Sequence, residues 1–275
     1  MTHRIVKNRL MPGLPLAFAI VVTMTSFTVA AAQAQTQTAC AALIITGHPS
    51  YPPVAWAAQG KIIGAAPDLV SGVAAKLGVR TVTSKDFGSW EAAQEATHKG
   101  EADVIFGIYK NDERAKYLDY IEPSFMADPV AVVVRKGSKL AFAKWADLKG
   151  HKGITNTGES YGDAFDAYMT KELTVARAAG VDKAFDVLLA GQADYMIIGL
   201  YPGRTVVRDM KIADKVTFLP KELVSAPMYV ALSKQSKCGA LRAGFAAEIK
   251  KAVAGGGVRK LLVTSEKLAA KQAGR

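Results

Sequence analysis

The stretch "GEADVIFGIY", Gly100–Tyr109, is answered 91 residues later by "GQADYMIIGLY", Gly191–Tyr201. Each copy follows a helical run, enters through Ala-Asp, continues as a short apolar strand and leaves through Gly and Tyr. A short apolar run bounded by helix-stop glycine reads as a strand buried on both faces. Two copies at this spacing read as the last βα turn of each of two similar α/β lobes, with both exits aimed at a shared cleft.

The surroundings of each copy agree. Before the first, "CAALIITG" reads as a buried strand and "YPPVAW" as a loop, because Pro52 and Pro53 forbid regular pairing. "PDLVSGVAAKLG" has helical spacing, with Asp68 as expected N-cap and Gly78 as stop. "VRTVTSKD" is a strand, and "SWEAAQEATHKG" a helix capped by Ser89 and ended by Gly100. Strand and helix alternate, which implies parallel strands covered by helices, joined by right-handed connections. The second half repeats the scheme: strand "PVAVVVRKG", turn "WADLKG", strand "KGITNTG", helix "SYGDAFDAYMTKEL", strand "TVARA" and helix "VDKAFDVLLAG". After "KVTFLP" comes a crossing segment, "SAPMYVALS", and then two helices separated by the glycines at 255–257.

The first 34 residues stand apart. Arg4, Lys7 and Arg9 precede an apolar run from Leu14 to Ala30 and then "AAQAQ". That order is the pattern of a cleaved signal peptide, with an uncleaved anchor as the competing reading. An exported, periplasmic protein is expected. Removal takes away three basic residues and no acidic one, so the formal net charge falls from +11 to +8. The remaining basic residues form no dense block with interleaved aromatics, so nucleic acid is not an expected partner. In an oxidising compartment the two cysteines, Cys40 and Cys238, are expected to pair, against two free thiols or a lipid-bearing Cys40.

Several chemistries are excluded by the residues. "GESYG", Gly158–Gly162, has the form of a nucleophile elbow, but His3, His48, His98 and His151 all precede Ser160, whereas that fold places its base after the serine. The histidines are isolated and the cysteines lie 198 positions apart, so no metal site is expected. "AGGG" lacks the Lys-Ser/Thr of a phosphate loop, and no cofactor is expected. Ser160 reads better as part of a helix start offering free amides to an anionic or polar group, or as a plain cap.

Five stretches in order carry a resemblance: "HPSYPPVAW", "GKIIGAAPDLV", "KGEADVIFGIYKNDERAKYLDYIEPSF", "WADLKGHKGITNTGESYG" and "GQADYMII". Across essentially the whole mature chain they resemble the family 3 extracytoplasmic solute-binding proteins of polar amino-acid ABC importers. The resemblance implies an α/β, two-lobed periplasmic-binding-protein fold of type II, each lobe a mostly parallel sheet with flanking helices, joined by two crossing strands. Residues 35–128 and 226–275 would form lobe 1, and residues 129–225 lobe 2.

The same resemblance implies a receptor that holds a small carboxylate-bearing solute between its lobes, works with a membrane permease and is a monomer. Arg114 matches the arginine that pairs with the solute carboxylate, Tyr51 the aromatic cover, and Glu159, Ser160 and Tyr161 the lobe-2 cradle. Trp56, Ile108, Tyr109, Lys110 and Tyr201 fall in neighbouring positions. Two departures bear on specificity. Gly199 stands where the family carries an aspartate for the solute ammonium, and His48 where many relatives carry an acid. A bound amine would then need another carboxylate, with Glu159 and Asp163 as candidates; without one, an organic acid is the expected solute, a preference Lys110 would strengthen. A dehydratase-like enzyme on the same scaffold and a sensory binding module are the alternative readings.

Overall fold

The computed structural model of the chain describes residues 40–274, so the leader read over residues 1–34 lies outside the described residues. The first half contains β1 (Ala42–Gly47), β2 (Ser50–Tyr51), β3 (Ala55–Ala58), β4 (Lys61–Ile63), α1 (Ala65–Lys76), β5 (Thr81–Ser84), α2 (Trp90–His98), β6 (Val104–Tyr109), the single turn α3 (Asp112–Ala115) and β7 (Leu118–Arg135). The second contains β8 (Lys152–Asn156), α4 (Asp163–Glu172), β9 (Thr174–Ala178), α5 (Val181–Leu189), β10 (Tyr195–Gly199), α6 (Leu200–Asp209), β11 (Val216–Phe218) and β12 (Val224–Ser233). Helices α7 (Arg242–Ala254) and α8 (Gly257–Ala273) close the chain, parted by the expected glycines.

The main sheet runs β5-β1-β6-β12-β7-β10-β8-β9, with β11 added to β7. At one end β1 pairs in parallel with β5 and β6; at the other β8 pairs in parallel with β9 and β10. The two copies of the repeated stretch supply β6 and β10. Between these parallel groups lie β7 and β12, antiparallel to each other along most of the length of β12. Strand β7 has 18 residues, which at about 3.3 Å each reaches about 60 Å, enough to belong to both groups. The architecture is the expected one: two α/β lobes bridged by two long strands.

Local chemistry explains the element ends. The Ser89 hydroxyl accepts the Ala92 amide at 3.0 Å, and α2 buries Trp90, Ala93, Ala96 and Thr97. Gly100 adopts φ 77°, which lets the chain turn back into β6. Four expectations are corrected. Asp68 lies inside the first turn of α1, whose N-cap is Gly64. The "YPPVAW" stretch is not a plain loop, because β2 and β3 pair around Pro52–Pro53 and β4 completes a small antiparallel sheet. Helix α4 starts at Asp163 behind Gly162, leaving Ser160 in the preceding loop. The strand expected from Pro129 onward begins at Leu118, because Pro123 and Pro129 are accommodated inside β7. Cys40 and Cys238 are joined, with Cα atoms 5.0 Å apart, tying the start of β1 to the turn before α7.

Candidate functional site

Three side chains meet where the bridging strands pass between the lobes. Tyr51 ends β2, Tyr109 ends β6, and Asp128 lies near the middle of β7. The Tyr51 phenol donates to Asp128 Oδ2 at 2.8 Å and the Tyr109 phenol donates to the same oxygen at 3.0 Å. Asp128 is fully buried, and its Oδ1 has no hydrogen-bond partner. Burial pushes its carboxyl up to about 6, while the bonds from Tyr51 and Tyr109 hold it down; the Tyr201 amide also favours the charged form without closing a hydrogen bond on Oδ1. Both phenols are raised well above their ordinary range, first by burial and then by the Asp128 charge.

Register explains how Asp128 arrives there. Gly199 pairs with Val130 across β10 and β7, so Asp128 is a diagonal neighbour of Gly199 on the same face. A Cβ at position 199 would overlap the Tyr51 phenol oxygen and Asp128 Oδ2. The Tyr51 phenol and the carboxylate of Asp128 together therefore fill the room that a side chain at 199 would need.

A second group joins the lobes through His48. Its Nδ1 accepts the Ser50 amide at 2.9 Å, so the neutral ring carries its proton on Nε2. Nε2 lies 3.2 Å from Glu159 Oε1 and 3.2 Å from Asn156 Nδ2, both from the second lobe. The ring is packed between Tyr51 and Trp90, each with its centroid 5.2 Å away. A cavity of about 150 Å³ opens beside it, toward Thr157 and Gly180.

Arg114 stands on the short turn α3, where Asn111 caps the chain by accepting the Arg114 amide. Its side chain is buried although charged. Nε donates to Gln94 Oε1 at 2.9 Å, Nη1 to the Tyr109 carbonyl at 3.0 Å and Nη2 to the Gly158 carbonyl of the second lobe at 2.9 Å. Two of its five N–H groups stay without a protein acceptor. The guanidinium carbon lies 5.6 Å from the Trp90 ring centroid. Further links cross beside it: Asn111 donates to Ser160 Oγ at 2.7 Å, and the Asp112 amide donates to the Asp163 carboxylate at 3.1 Å. Tyr109 touches both charges, with its carbonyl on Arg114 and its phenol on Asp128.

Seven residues marked in the sequence thus gather at the junction: His48, Tyr51, Tyr109, Arg114, Glu159, Ser160 and Gly199. Others lie elsewhere. Trp56 donates to Gln272 of α8 at 2.9 Å. Ile108 packs in the core with Tyr120 and Leu118. Lys110 is exposed, 3.6 Å from Glu122. Tyr161 bonds Thr155 and the Ile197 carbonyl inside the second lobe, and Tyr201 is 43 % exposed. Asp163 is taken up by the Asp112 amide. Asp128, Gln94, Asn111 and Asn156 carry no motif, and sequence reasoning misses them. For Asp128 the one available signal is an acid placed inside an otherwise apolar stretch, "SFMADPVAVVV". Among the described residues no cluster of three or more His, Cys, Asp or Glu could hold a metal ion.

The profile of the bacterial extracellular solute-binding proteins, family 3, matches residues 43–262. The chain belongs to this family. Among solved structures it is similar to the amino-acid ABC transporter substrate-binding protein AbpA from Streptococcus pneumoniae bound to L-arginine, at 21% identity over 83% of this chain and 96% of that chain, with a TM-score of 0.67. The GluR0 ligand-binding core complexed with L-glutamate is 15% identical over 81% of this chain and 97% of that one, TM-score 0.68. A histidine kinase sensor domain with similarity to periplasmic binding proteins is 21% identical over 82% and 96%, TM-score 0.68. A comparison with curated proteins finds no match. Among the described residues no helix is long and apolar enough to cross a membrane.

Proposed function

We propose that this family member is the receptor of an ABC importer that closes its two lobes on a small solute carrying both a carboxylate and an amine, and passes it unchanged to a membrane permease. The observation that carries this reading is the pair of opposite charges buried at the lobe junction and bridged by Tyr109. Arg114 keeps two N–H groups for a carboxylate, which a guanidinium fork receives with two parallel bonds. Asp128 keeps one oxygen for an ammonium. An amino acid presents both groups. Glu159 is engaged with His48 and Asp163 with the Asp112 amide, so Asp128 is the acid left to replace the side chain absent at Gly199. The exposed position of Lys110 removes the support for a purely anionic solute.

Contacts from His48, Asn111, Asp112 and Arg114 to the second lobe favour the shut arrangement, and a solute held by both lobes adds to them. The decisive experiment combines native mass spectrometry of the purified protein with calorimetric titration of the twenty L-amino acids. At least one is expected to bind, and Arg114→Ala is expected to weaken it by at least 100-fold. Release of a chemically converted molecule would replace the receptor by an enzyme. Binding with no effect on uptake, in a strain lacking the protein, would favour the sensory reading.

A further inference from the structure

A groove outside this junction has a different character. Helix α6 of the second lobe and helix α8 of the first face each other across a cavity of about 500 Å³, floored by Pro53, Val54 and the β7 residues Met126 and Ala127. Spacing puts Tyr201, Arg204 and Arg208 along one helix, and Arg259, Val263 and Glu266 along the other. Three guanidinium groups thus stand against one carboxylate. Arg208 is paired with Asp209 at 2.9 Å; among the described residues the side chains of Arg204 and Arg259 enter no hydrogen bond or ion pair. The walls are also apolar in places where the surface is usually polar. Tyr201 at 43 % and Val263 at 46 % are two of the five most exposed large hydrophobic residues described, and both line this groove.

We propose that this groove is a second ligand site, distinct from the junction of Arg114 and Asp128, for a small organic acid with an apolar body. The volume lies within the range of small-molecule sites and is too small for a protein domain. A cation would face the three arginines. A bare inorganic anion would leave Tyr201, Val263 and Met126 uncovered. An aromatic or aliphatic carboxylate satisfies both halves of the lining, with a bidentate guanidinium contact at its charged end. Because α6 and α8 belong to different lobes, such a ligand binds both and favours the lobe arrangement seen here. Tyr201 lies two residues beyond Gly199, and Met126 two before Asp128. Occupancy is therefore coupled to solute affinity at the junction, and the coupling is reciprocal.

The test uses indole-3-acetate, 4-phenylbutyrate and octanoate as probes on the full protein, by calorimetry and ligand-detected NMR, with neutral indole-3-acetamide as control. At least one acid should bind saturably, indole-3-acetamide should bind at least 10-fold more weakly than indole-3-acetate, and Arg204→Glu/Arg259→Glu should weaken the acid at least 10-fold. Both arginines are exposed, so the variant should keep its circular dichroism and melting temperature; if it does not, Arg204→Gln and Arg259→Gln are measured singly. Saturable binding by none of the three acids overturns the site. So does equal binding of the amide, indifference to both substitutions, or competitive displacement of the acid by an amino acid that saturates the junction, which would move the acid there.

Discussion

Asp128 holds a charge where water does not reach, and its one free oxygen makes that charge costly until a partner arrives. Its carboxyl titrates near 6 in the fold against an ordinary value of 3.8. A folded-state value above the unfolded one means that the native protein binds the proton more tightly, so this residue's contribution falls as pH rises from about 4 through 6. The difference corresponds to about 3 kcal/mol, fully exerted above pH 7. Asp128→Asn is therefore expected to match the parent in stability at pH 4 and to exceed it by about 2–3 kcal/mol at pH 8, while losing amine recognition. Urea unfolding at both pH values checks this; a variant less stable than the parent at pH 8 contradicts the burial cost. Arg114 was legible from its place after "NDE" in a family-like stretch. Asp128 was not, because an Asp-Pro step reads locally as a turn, and only its pairing with Ala226 of β12 holds it in a strand.

Strand β7 explains most of what sequence reasoning lost among the elements. Two prolines in 18 residues break the apparent periodicity, yet neighbouring β12, β10 and β11 supply enough pairing to keep the strand whole. Its register against β10 puts the acid of one strand into the space beside the glycine of the other. Gly199→Asp alone adds a side chain within van der Waals overlap of Tyr51 and a second carboxylate to a dry site, and should cost at least about 2 kcal/mol. Asp128→Ala/Gly199→Asp removes one of the two overlaps and frees the space into which the Tyr51 phenol can shift, and is expected to recover part of the loss together with solute binding. Unfolding free energies of both single variants and the double variant form a cycle; strict additivity would show that the two positions do not share one space. The helices were easier to read. Ser89, Gly100 and the glycines before α8 act within a few residues of themselves, so their effect is local and visible in the chain.

For the whole molecule, the terminal segments matter because β1 begins the sheet and α7 and α8 return to cover it. The Cys40–Cys238 bridge closes a separation of 198 residues. Removing it by Cys40→Ser/Cys238→Ser is expected to cost about 2–5 kcal/mol, lowering the melting temperature by roughly 5–15 °C at this chain length. Calorimetric scans of parent and variant measure it; an unchanged transition would place the stability of this junction in packing alone. The twin-lobe plan was readable beforehand because alternation of strand and helix recurs on either side of a repeated stretch. The way the lobes meet was not.

What the amino-acid order determined by itself is whatever acts over a few neighbours: apolar periodicity, caps and stops, the repeated strand, the family-like run that contains Arg114 and the cysteine pair expected of an exported chain. What only the tertiary structure decided is which distant groups share a space: Asp128 beside Gly199, His48 against Glu159, Gly158 receiving Arg114, and the arginines of α6 facing α8. The physical reason is that strand register and burial are set by the sum of many remote contacts, and a polar residue gives no local sign of being enclosed until those contacts close around it.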